Sequence, residues 1–166
     1  AGGLVSGFVH PFAGFDHLLA MIAVGIWGSL LGRPLSVALP VLFPPMMAVG
    51  ALWALAGIPF PPTEAGIAAS MMVLGAAIAG NVKAAPLLAG AIVAGFALFH
   101  GHAHGAELPY AAQPLPYILG FVLATGCLHL GGIALGEMRK LAQGLLVLRA
   151  AGGAIAMLGV VAMARA

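Results

Sequence analysis

Cysteine occurs once in this chain, at Cys127, which excludes an internal disulfide framework and any thiolate cluster. Charge is nearly as scarce: four acidic and six basic side chains make up 6% of the 166 residues, where a soluble domain carries about 25%. The basic residues form no patch, so the sequence pI near 9.1 is no footprint of nucleic acid, and no nucleic-acid partner is expected. No HExxH helix and no phosphate-binding loop occur, which weakens a membrane metalloprotease and leaves no ATP site. In their place stand apolar residues, 63% of the chain, with a mean hydropathy of +1.14. This is the composition of an integral membrane protein. The chain opens at Ala1 without a methionine or a basic leader, as expected of a trimmed chain or of a terminus left by signal-peptide removal.

A bilayer core about 30 Å thick takes roughly 20 apolar residues of helix. The breaks at Arg33-Pro34, Pro59 to Pro62, Asn81 to Lys83 and Glu107 to Pro116, with the loop that holds Arg139 and Lys140, leave six such segments, near 14–32, 35–57, 62–82, 84–105, 115–136 and 143–164. The expected fold is all-α: one transmembrane domain over 1–166, a polytopic bundle of six helices, acting alone or as a homo-oligomer in the lipid bilayer. Its 25 glycines fall inside these segments, and the spacings Gly28 to Gly32, Gly101 to Gly105 and Gly132 to Gly136 read as helix-packing faces. Pro40, Pro44 and Pro45 predict a kink or local opening of the second segment near Phe43, with carbonyls freed toward a pathway or for purely structural reasons.

Arg33, Lys83 and the pair Arg139 and Lys140 lie in alternate loops, which the positive-inside rule makes cytoplasmic; Arg149 and Arg165 fit this pattern less well. Both termini are then expected on the outer, periplasmic side. That orientation gathers the ionisable residues. His10, Asp16 and His17 precede or open the first segment, Glu64 opens the third, and His100, His102, His104 and Glu107 close the fourth, all at the outer end. Ionisable groups in a membrane cost about 2.5–3.5 kcal/mol each even on insertion scales, so they need a reason. Taken singly, each histidine reads as a neutral, hydrogen-bonded core residue and Asp16 as an N-cap. Their convergence from three helices is what that account does not require.

On a helix His100, His104 and Glu107 share a stripe while His102 points away. His10 and His17 stand about 10 Å apart if the helix is continuous, too far to grip one ion, so either Pro11 and Gly14 break the helix and fold His10 inward or the two serve successive positions on a path. Imidazole and carboxylate without thiolate suit Ni²⁺, Co²⁺ or Zn²⁺, and the methionine pairs Met46-Met47 and Met71-Met72 face different ways, which disfavours copper. A buried His129 hydrogen-bonded to a neighbouring helix, or alternatively an inner exit ligand, is expected in the fifth segment, and Glu137 groups with Arg139 and Lys140 at the interface.

These residues carry a resemblance. HPFAGFDHLLAM at 10–21, FPPMMAVG at 43–50, Glu64 before a GIAxS-type helix, FHGHAHGAE at 99–107, LHLGG at 128–132 and RAAGGAIA at 149–156 together resemble, in order and over essentially the whole chain, the HupE/UreJ family of nickel and cobalt permeases. The spacing of His10, Asp16 and His17 is similar to, and one residue longer than, the HxxxxDH motif of the larger nickel/cobalt transporter family. The resemblance implies that His10, Asp16, His17, Glu64, His100, His104 and Glu107 handle the metal, with His102 variable, and that Phe43 is a pathway residue. It further implies a bacterial inner-membrane protein that is not an enzyme, holds no prosthetic group, carries Ni²⁺ or Co²⁺ as its transported ion without ATP, and indirectly supplies hydrogenase or urease maturation. A membrane-embedded metalloenzyme using the same cluster to activate water and a metal sensor or store are the rival readings.

Overall fold

A computed structural model describes residues 3–106, 108 and 114–166. Among the described residues the fold is all-helical and without strands: α1 (Gly3–Ala13), α2 (Phe15–Leu31), α3 (Leu35–Leu55), α4 (Thr63–Ala79), α5 (Pro86–Ala106), α6 (Pro114–Gly136), a 3-10 turn over Glu137–Lys140, and α7 (Gly144–Met163). Helices α5 and α6 begin on proline, whose missing N–H costs nothing in a first turn. Helix α2 ends where Gly32 adopts φ +84°, and the turn after α4 uses Asn81 at φ 48°.

Helices α2 to α7 lie on the six apolar segments. α1 is additional: the first expected segment begins near residue 14 and leaves residues 3–13 unassigned. Helices α3, α5, α7 and the stretch Leu115–Lys140 are long and apolar enough to cross a membrane. α1 and α2 pass only as a pair bent by 83°, and α4 is a shorter apolar helix of 17 residues. At 1.5 Å per residue α4 is about 26 Å long, short of a full hydrocarbon core. Length and composition thus give four spans, or five with the bent pair, where the sequence reading expects six.

The bundle is organised around α2, which is buried on every side from Ala23 to Leu30 and packs on α1, α3, α4 and α6. α3 lies on α5, α4 on α7, and α6 on both α1 and α2. Glycine permits each of these approaches. Gly101 and Gly105 sit against the Met47 and Ala51 backbones, and Gly132 and Gly136 against α2, as their spacing predicts. Gly28 likewise lies against the backbone of Leu35 and Ser36 in the first turn of α3, whereas Gly32 departs from that expectation: a Cβ there meets nothing, because this glycine serves the turn conformation. Gly75, Gly152 and Gly159 close the α4–α7 pair instead.

At one end of the bundle polar side chains tie the helix ends together. Trp27 Nε1 donates to the Val82 carbonyl at 3.1 Å, Lys83 to the Leu30 carbonyl, Ser29 Oγ to Glu137 at 2.8 Å, and Arg149 Nε to the Ala79 carbonyl at the C-terminus of α4 at 2.7 Å. Glu137 pairs with Arg139 and Lys140. Arg149, which fits the loop pattern poorly in sequence, therefore belongs to the same end as Lys83, Arg139 and Lys140. The outward faces are apolar throughout: Leu52, Leu87, Leu115, Leu130, Leu146 and Met157 are all exposed, a surface suited to lipid. The chain is a multi-pass membrane protein.

Candidate metal site

The opposite end carries the histidines, and Gly14 places the first two. Its extended backbone (φ −94°, ψ 107°) separates α1 from α2, while Pro11 stays inside α1. A Cβ at Gly14 would lie 2.9 Å from His17 Nδ1 and 3.1 Å from Asp16 Oδ1, so the bend needs glycine for space. α1 then lies along the start of α6, where Gly7 meets the Tyr117 backbone and Gly120 meets that of Leu4. Of the two sequence alternatives for His10, inward folding at a break is the one observed.

The rings form a continuous chain. His10 Nε2 and His104 Nδ1 share a hydrogen bond at 3.1 Å, with ring centroids 4.9 Å apart. His104 lies 4.4 Å from His17, and His17 lies 5.2 Å from His100. His100 in turn meets the edge of Phe43 at 5.6 Å, and Phe43 meets His129 at 5.1 Å. Three helices supply the first four rings: α1 (His10), α2 (His17) and α5 (His100 and His104). α3 supplies Phe43 and α6 supplies His129.

Hydrogen bonding sets two of the tautomers. Asp16 Oδ1 accepts from the His17 backbone N–H and from His17 Nδ1, both at 2.9 Å. A carboxylate only accepts when ionised, so Nδ1 holds the His17 proton and Nε2 holds the lone pair. The Phe96 carbonyl at 2.8 Å does the same for His100 Nδ1. The Nε2 atoms of both His17 and His100 are buried and have no hydrogen-bond partner among the described residues. A buried polar atom without a partner costs about 1–3 kcal/mol, and a carboxylate or carbonyl holding the far ring nitrogen is how ligating histidines are oriented. Asp16 is thus engaged with the backbone and ring of His17.

His102 points elsewhere, as its helical phase predicts: it stacks on Phe60 at 4.9 Å and bonds weakly to the Ile58 carbonyl. Glu64 opens α4, is exposed, and makes no hydrogen bond or ion pair with a described residue. Its helix does approach the cluster, since Gly66 abuts the Phe99 ring beside His100. Glu107 lies outside the described residues. Among those that are described, no three His, Cys, Asp or Glu side chains converge to the spacing of a preformed metal cage. The donors are arrayed in sequence.

Next to His104 a pocket of about 170 Å³ opens between α3, α5 and α6, lined by apolar residues such as Pro44, Met47, Leu52, Ile118 and Phe121. His104 and Tyr117 are its polar members. Helix α3 runs unbroken through its three prolines, without the local opening that they predict, yet Pro44 has no N–H to offer the Pro40 carbonyl. That carbonyl lies against the His129 ring, close enough for one ring nitrogen to donate to it at loose geometry. Thr125, one turn from His129 on α6, is equally buried, and sequence reasoning passes over it. The available signal is a polar pair four residues apart in the otherwise apolar buried stripe of Tyr117, Phe121, Ala124 and Leu128.

The family model described as HupE / UreJ protein matches residues 1–162. The chain is similar to Protein HupE of Rhizobium leguminosarum bv. viciae, with 43% identity over 159 residues that cover 96% of this chain and 83% of that protein. No solved structure matches it. With the match spanning nearly every residue, including all of the histidines above, the chain belongs to the HupE/UreJ family.

Proposed function

We propose that the protein is a permease that moves Ni²⁺ or Co²⁺ across the bacterial inner membrane into the cytoplasm, with six crossings and both termini outside. The observation that carries this reading is the file of rings His10, His104, His17 and His100, in which His17 and His100 each turn a buried lone pair away from the group that holds their proton. Donors in series suit conduction. An ion must bind well enough to shed water and weakly enough to leave, which favours several partial sites over one closed cage. Neutral imidazole nitrogen is a borderline donor that fits nickel and cobalt, and Asp16, bonded to His17, adds negative potential beside the file. The orientation is supported by the basic side chains at the far end of the bundle, the end that the positive-inside rule assigns to the cytoplasm.

The rival binding-protein reading draws on one feature: Phe43, 1% exposed, closes the inner end of the file. Polar groups continue beyond Phe43, which favours a route over a sealed store. Accumulation of labelled nickel by cells expressing the protein, above cells expressing a His17→Ala variant inserted at the same level, is the expected result. Equal accumulation in both would remove the permease reading.

A further inference from the structure

We propose that His129, Thr125 and the Pro40 carbonyl form a second cation station on the inner side of Phe43, so that a transported ion passes from the outer histidines to this one across the phenyl ring. The proposal rests on the permease reading above and adds a site to it. Three observations carry it. At least one His129 nitrogen and the Thr125 hydroxyl are buried without a hydrogen-bond partner among the described residues, with His129 1% and Thr125 0% exposed. They stand four residues apart on α6, hence on one face. Across from them the Pro40 carbonyl has been released from its helical partner by Pro44, and it faces His129. A residue with an N–H in place of Pro44 would have used that oxygen.

Phe43 connects the two stations. It lies between Pro40 and Pro44 on α3, with its ring 5.6 Å from that of His100 and 5.1 Å from that of His129, centroid to centroid, and steeply inclined to both. A rotation of that one side chain would join the outer lone pairs to the inner donors. The donor set is one imidazole nitrogen, one hydroxyl and one carbonyl, all neutral. Such a set accepts nickel or cobalt in N,O coordination, but holds it more weakly than a site with a carboxylate, which suits a station that must release its ion.

The test uses the full chain in liposomes, with labelled Ni²⁺ outside and entry rate measured against concentration. His129→Ala and His129→Gln are both expected to lower the maximal rate about tenfold or more while leaving the apparent KM within about twofold, because the entrance ligands are untouched. His17→Ala, by contrast, is expected to lose saturable entry. His129→Gln fills the volume and can bond to the Pro40 carbonyl, so it decides the matter if His129→Ala fails to fold. Wild-type rates in His129→Gln would overturn the second station, leaving the permease reading intact. A rise in KM with the maximal rate unchanged would also overturn it, by assigning His129 to the entrance. A wild-type chain that moves no nickel would sink both readings.

Discussion

A single hydrogen bond separates the roles of Asp16 and His17. Because Asp16 holds the His17 Nδ1 proton at 2.9 Å, its loss is expected to disorder a ligand instead of deleting one. Asp16→Asn should therefore weaken nickel uptake by about 10–100-fold, the range seen when the groups behind a ligand are changed, and His17→Ala should weaken it at least as much. A milder effect of His17→Ala than of Asp16→Asn, measured as uptake at equal membrane levels, would mean that the carboxylate touches the ion directly. His104→Ala should abolish uptake too, since His104 bridges His10 and His17 in the file. His102→Ala should leave uptake within about twofold, as its ring stacks on Phe60 outside the file.

Among the elements, the bend between α1 and α2 and the α3–α5 contact decide whether the rings meet. Gly14→Ala would press a methyl group on His17 Nδ1 and Asp16 Oδ1. It is expected to reduce uptake while the protein still folds, because the crowded atoms are side chains beside the bend. Unchanged uptake in Gly14→Ala would show that the bend tolerates a Cβ and that His10 contributes little. Gly101→Val acts differently. Its side chain would meet the Met47 backbone, which has nowhere to go, so overpacking of about 1–3 kcal/mol or more is expected, read as a lower unfolding temperature in detergent.

For the molecule as a whole, orientation and selectivity are the testable properties. A reporter active only in the cytoplasm, fused after Ala166, should be silent if both termini are outside; a bright fusion would move the histidines to the wrong face for uptake. Co²⁺ should compete with Ni²⁺ for entry whereas Mg²⁺ should not, since Mg²⁺ keeps its waters and prefers oxygen donors. Uptake should also fall as the outer medium is acidified. Protons compete with the ion for the same ring nitrogens, so the effect runs one way, toward lower affinity at lower pH.

Apolar content, the spacing of the breaks and the positions of the basic residues settle the all-helical membrane class before any coordinates, because the bilayer core admits little besides helices of this length. The stripe of His100 and His104 and the separate face of His102 come from 3.6 residues per turn alone. The local sequence could not choose between the two accounts of His10, since a proline and a glycine both stood ready to break the helix; packing of α1 on α6 through Gly7 and Gly120 chose Gly14. Nor did it connect Phe43 to His100 and His129, which lie 57 and 86 residues further along the chain. Those contacts exist because small residues let α3 approach α5 and let α6 approach α2, and periodicity within one helix carries no information about which neighbour it will meet. The role of Asp16 was hidden for the same kind of reason. Spacing can bring a carboxylate beside an imidazole, but only the folded geometry shows which ring nitrogen it holds and which one it leaves unpaired.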